Sequence, residues 1–240
     1  MENMDNAADL RHRLVLALDF DDPVVALRWV TLLGKWFGVV KVGSELFAAT
    51  GPSIVVGLRE RGFKVFVDVK LADIPTTTRK AARVFGTLGA SYLTVHTCAG
   101  LSVVRAGVEG LAEGAAKAGL PAPMVLGVTV LTSEPEASTG LLGLLRSRAR
   151  TALEAGCGGV VCAAPDLAAV QAAAPGLLTV VPGIRLASVN ANDQQRVATP
   201  ANAIKAGAGL LVIGRTVTEA DNPEAAAEAV TAELAAALVT

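Results

Sequence analysis

Short runs rich in Val, Ile and Leu recur eight times along the chain: LVLALD from Leu14, VVKVG from Val39, KVFVDVK from Lys64, YLTVH from Tyr92, MVLGVTVL from Met124, GVVCA from Gly159, LLTVVPG from Leu177 and LLVIG from Leu210. Continuous apolar runs of this length read as strands covered on both faces, as in a parallel sheet. Between them, Ala- and Leu-rich segments such as Pro23 to Trp36, Pro52 to Arg61, Thr76 to Leu88 and Ser102 to Ala118 carry charged residues at helical spacing. These predict amphipathic helices. Strand and helix alternate with no linker or composition shift. That describes a single α/β domain closed as a (β/α)8 TIM barrel better than an open doubly wound sheet. Gly62, Gly89, Gly119, Gly156 and Gly207 each follow a helical stretch and precede a strand, as helix C′ caps do. The polar opening MENMDNAADLRH predicts a flexible lead-in over residues 1–12, with the barrel domain spanning 13–240.

In a barrel of this kind the reactive residues come from the C-terminal ends of the strands and the loops that follow. Those positions hold Asp19, Lys41, Asp68 with Lys70, His96, Thr132 with Ser133, Arg185 and Arg215. Their convergence on one face predicts a polar pocket. The densest charge lies in FVDVKLADIPTTT, from Phe66 to Thr78. Strand alternation puts Asp68 and Lys70 on one side, about 7 Å apart between Cα atoms, with Val69 on the other. Asp73 follows just beyond. A structural ion pair is the plainer reading, but burying such a pair is a poor source of stability, and perturbed charges gather at active sites.

Composition narrows the function classes. Aromatic residues make up 4% of the 240, and the formal net charge is −1, which gives neither stacking platforms nor an electrostatic footprint for a nucleic acid polymer. Three cysteines, Cys98, Cys157 and Cys162, form no CxxC pair, as expected of a reducing, cytoplasmic setting, and Cys162 reads as strand core. With two histidines, His12 and His96, no HxH or HExxH array is present for a transition metal. No apolar run reaches the length of a membrane span, and no signal core opens the chain. His96, without a carboxylate neighbour to orient it, is expected to be structural.

The seventh and eighth strands end in VVPGIR and LVIGR, each placing Gly then Arg after a strand. Free backbone N–H groups and a forked guanidinium suit phosphate oxygens, and barrels commonly place phosphate after these two strands. Two long polar stretches, Arg185 to Pro200 and Thr132 to Gly143, suit lids that close over a ligand, or loops that are merely mobile. A Schiff-base role for Lys70 needs a neutral amine, whereas adjacent carboxylates favour the ammonium. A charged Lys70 is suited to protonating or stabilising a developing carbanion.

DVKLADIPTTT, with LALD before it, KVG at Lys41, TVLTS at Thr129 and PGIR…DQ…VIGR at the end, resembles the orotidine 5′-phosphate decarboxylase family from Leu14 to about Ala236. The resemblance implies a cofactor-free, cytoplasmic (β/α)8 homodimer. Its substrate and product would be orotidine 5′-monophosphate (OMP) and uridine 5′-monophosphate (UMP), in pyrimidine biosynthesis. It implies that Lys70 protonates C6 within a network of Lys41, Asp68, Lys70 and Asp73, with Asp73 supplied by the partner subunit. Asp19 and Lys41 would hold the ribose, with Thr77 reaching across the dimer. Ser133, beside Thr132, would bind the pyrimidine edge. Gln194, Gly214 and Arg215 would bind phosphate, with Arg185 at the same mouth, and Ile74 would wall the partner's site. The chain has KLADIP and VHTCAG where many relatives have KFHDIP and VHASGG.

Two rival readings also fit the sequence. Magnesium-dependent 3-keto-gulonate 6-phosphate decarboxylases and hexulose-phosphate synthases share the barrel and a DxKxxD motif, but tend to carry an acidic metal ligand where this chain has Lys41. A second cation beside Mg²⁺ is electrostatically unfavourable. A nucleotide-binding protein without catalysis is the other, although a mere binder gains nothing from two carboxylates near an anionic ligand.

Overall fold

The computed structural model describes residues 10–132, 140–187 and 196–239. Eight parallel strands, β1 (Leu14–Leu18), β2 (Val39–Gly43), β3 (Lys64–Leu71), β4 (Tyr92–His96), β5 (Met124–Val128), β6 (Gly159–Val161), β7 (Leu178–Val181) and β8 (Leu210–Ile213), pair in sequence order, and β8 closes on β1. Around them run α1 (Pro23–Leu33), α2 (Ser44–Thr50), α3 (Ser53–Glu60), α4 (Pro75–Leu88), α5 (Leu101–Lys117), α6 (Leu141–Ala155), α7 (Leu167–Ala173), α8 (Pro200–Lys205), α9 (Arg215–Thr218) and α10 (Pro223–Val239). The eight expected strands are all present, and the fold is the closed barrel the alternation predicts.

Strand alternation separates two apolar layers. Leu14, Leu16 and Leu18 of β1 pack outward against the helices in the larger core, whereas Val15 and Ala17 face the barrel axis with Val39, Phe66, Tyr92, Leu126, Val180, Leu210 and Val212. Both layers exclude water, which is why the strands read as unbroken apolar runs. Two residues further along the inward-facing positions, the composition changes: Val39 leads to Lys41, Phe66 to Asp68, Tyr92 to Thr94 and Ala17 to Asp19. The same period that fills the barrel floor therefore aims charged groups at its C-terminal mouth.

Local signals agree with the tertiary frame. All five glycines expected as caps take positive φ, from 66° at Gly119 to 95° at Gly207. The Asp22 carboxylate caps α1 by accepting from the Val24 N–H at 2.7 Å, with Pro23 pre-set at the first helical position. Residues 10–13 are helical, Leu10 is buried, and the Arg11 carbonyl accepts from the Gly38 N–H at 2.7 Å. The described barrel therefore begins before the boundary expected at residue 13, because Leu10 is the apolar residue that joins this turn to the core.

Candidate active site

The β3–β4 pairing makes the site. Phe66 and Val67 align with Tyr92 and Leu93, but the next aligned pair is Leu71 with Val95, so β3 carries two surplus residues opposite β4. The resulting bulge spans Asp68, Val69 and Lys70. Bulges unpair a strand locally and re-aim its side chains. Lys70 takes φ 47°, the one positive φ outside glycine among the described residues, a conformation that costs a non-glycine residue about 1–3 kcal/mol and tends to mark functional positions. Regular alternation correctly places Asp68 on the inner face, but Lys70 meets it through the bulge rather than through an undisturbed strand.

Thr94 fills the gap in the ladder. Its hydroxyl accepts from the Lys70 N–H at 2.9 Å and donates to Asp68 Oδ1 at 3.0 Å. Lys70 Nζ also reaches Asp68 Oδ1, at 2.9 Å, while Lys41 Nζ lies 3.9 Å from Asp68 Oδ2 and 2.7 Å from Asp19 Oδ1. Carboxylate and ammonium thus alternate in one row: Asp19, Lys41, Asp68, Lys70. Each internal member is flanked by opposite charge, which offsets the desolvation of Lys41 and the largely buried Asp68 side chain. Gly43 is part of the geometry, since a Cβ there would lie 3.1 Å from Asp19 Oδ1 and 3.2 Å from Lys41 Nζ.

The row borders a cavity of about 230 Å³ that Thr132, Arg185, Gly214 and Arg215 also line. Arg185 is buried, with Nη1 donating to the Ile184 carbonyl at 2.9 Å and lying 3.4 Å from Thr216 Oγ1. One side of the cavity is apolar, built from Val128, Val130, Leu131 and Val161. Cys162, expected as strand core, is buried and also lines this cavity; burial pushes its thiol up to about 12, Asp166 adds to the rise, and Arg196 opposes it. The pocket therefore offers both an apolar surface for a planar ring and two arginines for an anionic group.

The remaining expected residues fall in three places. Asp73, Ile74 and Thr77 are exposed at the exit of β3 and the start of α4, outside the set that lines the cavity among the described residues. The Asp73 carboxylate accepts from the Ile74 N–H at 2.6 Å, and Ile74 is 64% exposed. Ser133 and Gln194 lie outside the described residues. So do residues 188–195 and 133–139 of the two long polar stretches expected as lids. His96 stands half-buried at the end of β4 and its Nδ1 accepts from the Cys98 N–H at 3.3 Å. Burial, then Arg148 and Lys70, lower its pKa, favouring the neutral ring. Thr94 was not among the expected residues; its place two positions before His96 on the inner face was the available signal.

A parallel (β/α)8 barrel with an alternating ammonium–carboxylate row at its C-terminal mouth defines a barrel enzyme with a charged reaction centre. Comparison with known proteins narrows the class. The sequence model of the orotidine 5′-phosphate decarboxylase / HUMPS family matches residues 12–230, and the chain belongs to that family. It is 44% identical over 230 residues to the orotidine 5′-phosphate decarboxylase of Anaeromyxobacter dehalogenans, covering 92% of this chain and 98% of that one. The enzyme of the same name from Lactiplantibacillus plantarum is 42% identical over 224 residues, covering 89% and 94%. The crystal structure of orotidine 5′-phosphate decarboxylase from Lactobacillus acidophilus superposes with a TM-score of 0.79 at 31% identity, covering 92% of this chain and 98% of that one.

Proposed function

We propose that this enzyme decarboxylates OMP to UMP and carbon dioxide. The observation that carries the reading is the Lys70 ammonium, 2.9 Å from Asp68 and at the rim of a cavity that two arginines also line. The C6–carboxylate bond breaks and its electron pair remains on C6. Lys70 Nζ gives a proton to that carbon, and carbon dioxide departs neutral. Lys70 then regains a proton from water. Asp68 holds the ammonium in place, and the bulge at φ 47° fixes its direction of approach.

Asp19 and Lys41 are assigned to the ribose hydroxyls. Thr132 and Ser133 are assigned to the pyrimidine edge, and Arg185, Gln194, Gly214 and Arg215 to the phosphate. The exposed run containing Asp73, Ile74 and Thr77 is assigned to the active site of a second copy, in a homodimer with shared sites. What supports this is the position of an exposed isoleucine and a carboxylate directly beyond the catalytic strand. The magnesium-dependent reading is weaker here, because Lys41 already occupies the space between Asp19 and Asp68 with positive charge. No helix among the described residues is long and apolar enough to cross a membrane; the assigned place of action is the cytoplasm.

Loss of OMP absorbance with purified, EDTA-treated protein tests the function. Turnover without added metal is expected, with Lys70→Ala reduced by about 10³-fold or more in kcat. Turnover only with added Mg²⁺, or none, overturns the reading; near-wild-type activity of Lys70→Ala overturns the role of Lys70.

A further inference from the structure

Away from the charged row, one ion pair among the described residues is buried: Arg196 Nη2 donates to Asp166 Oδ1, with the residues 3% and 4% exposed. Neither residue lines the cavity. Three of the pair's polar atoms, Asp166 Oδ2, Arg196 Nε and Arg196 Nη1, have no hydrogen-bond partner among the described residues. A buried pair satisfied so incompletely is a poor source of stability against an apolar pair of similar volume. Its position offers a better reason for it.

Asp166 ends the turn Ala164–Asp166 that follows β6, and Arg196 lies two residues before Ala198. Ala198 makes an isolated parallel bridge to Ile184: the Arg185 N–H donates to the Ala198 carbonyl at 2.9 Å, and the Ala198 N–H to the Gly183 carbonyl at 3.3 Å. Gly183 and Arg185 line the cavity. Arg185 in turn meets Thr216, whose hydroxyl donates to the Ile184 carbonyl at 2.6 Å and which directly follows Arg215. The segment 196–198 therefore ties the exit of β6 to that of β7, and Thr216 joins the exit of β8 to the same Ile184–Arg185 step.

We propose that Asp166 and Arg196 are positioning residues for the phosphate end of the cavity, acting through the Ala198 bridge on Gly183 and Arg185. The proposal rests on the nucleotide reading above and deepens it. The ion pair adds a directional constraint that an apolar pair does not, because its hydrogen bond fixes where segment 196–198 sits relative to β6. Loosening it blurs the aim of Arg185 while leaving the ribose end, held by Asp19 and Lys41 at the ends of β1 and β2, and the pyrimidine end, at the exit of β5, untouched.

The test uses the full-length protein carrying Asp166→Leu with Arg196→Met, an apolar replacement that leaves no charge buried alone. Dissociation constants for UMP and for uridine are measured by calorimetry or competition. The expected result is a loss of about tenfold or more for UMP, with uridine within about twofold, since only UMP has the phosphate that Arg185 serves. Arg196→Lys, which keeps the charge but not the fork, is measured alongside and should show the same selective loss should the double variant fail to fold. An unchanged UMP affinity, or equal losses for UMP and uridine, overturns the proposal. Wild-type OMP turnover is recorded in the same series: if it is present while the UMP-to-uridine ratio does not change in the variants, the inference fails and the function stands. If wild-type protein does not distinguish UMP from uridine, the phosphate assignment and this inference fall together.

Discussion

Lys70 takes its strained backbone from a ladder that has no carbonyl to offer its N–H, and the Thr94 hydroxyl stands in for one. The same hydroxyl donates to Asp68, so one buried side chain fixes both members of the pair proposed for catalysis. Thr94→Val keeps the β-branched shape and removes both hydrogen bonds. The expected cost in stability is about 1–3 kcal/mol, from a buried donor and a carboxylate left short of partners. In steady-state kinetics kcat should fall about 10- to 100-fold with KM changed far less, and Thr94→Ser should recover most of it. Equal losses for Val and Ser would assign the effect to packing instead. The charged row was legible in the sequence because period-2 alternation is local. Thr94 was not, because its role exists only through the two-residue misregister between β3 and β4, which no single strand encodes.

His96 gives the residue scale a pH dependence. Its pKa in the fold is lowered, chiefly by burial, so the unfolded chain binds the proton more readily. The contribution of this residue is complete above its ordinary value of 6.5 and is lost as pH falls through that value toward the lower folded one. Denaturant melts at pH 7.5 and pH 5.5 should show a smaller acid-side loss for His96→Gln than for wild type. A larger loss in the variant would reverse the assigned direction.

At the scale of elements, α4 and α5 approach so closely that glycine is required between them. A Cβ on Gly114 would lie 1.9 Å from the Arg83 carbonyl oxygen, and one on Gly110 would lie 2.2 Å from that of Arg79. Gly114→Ala gains about 1 kcal/mol of helix propensity, but the obstructing atoms are backbone, and overpacking costs about 1–3 kcal/mol or more. A net loss is expected, read as a lower melting temperature of about 2–4 °C per kcal/mol in a chain of this size. Gly143→Ala, on α6 with nothing within 4 Å of the added carbon, should instead leave stability unchanged or slightly raised. Because α4 begins at Pro75, any displacement in Gly114→Ala is passed to Asp73, Ile74 and Thr77, so activity should fall more than stability alone explains. The helix itself was readable from its spacing, while the contact was not, since glycines at 110 and 114 look like poor helix formers until the partner helix is in place. Short α2 was not read as a helix for a related reason: it continues directly from the end of β2 and has too few residues to display a period.

For the whole molecule, the question is whether one barrel carries a complete site. Asp19, Lys41, Asp68 and Lys70 meet within a single chain, whereas Asp73, Ile74 and Thr77 are exposed and stand outside the cavity-lining set among the described residues. A carboxylate in this position either serves solvent or serves a neighbour, and complementation distinguishes the two. Lys70→Ala and Asp73→Ala are each expected to be nearly inactive alone. Mixed in equal amounts and allowed to exchange subunits at random, half of the dimers are hybrids. Each hybrid has one site with both lesions and one with neither, so recovery should approach about a quarter of wild-type activity for a two-fold assembly. Exchange is confirmed independently by differently tagged subunits that co-purify. Hybrids that form and remain inactive would place Asp73 in its own chain's site; a monomer in sedimentation that retains full activity would remove the shared site altogether. A Lys41→Ala partner mixed with Asp73→Ala protein should complement in the same way as Lys70→Ala. A Lys41→Ala and Lys70→Ala mixture should not, since those two lesions lie in one barrel and the hybrid leaves no site intact.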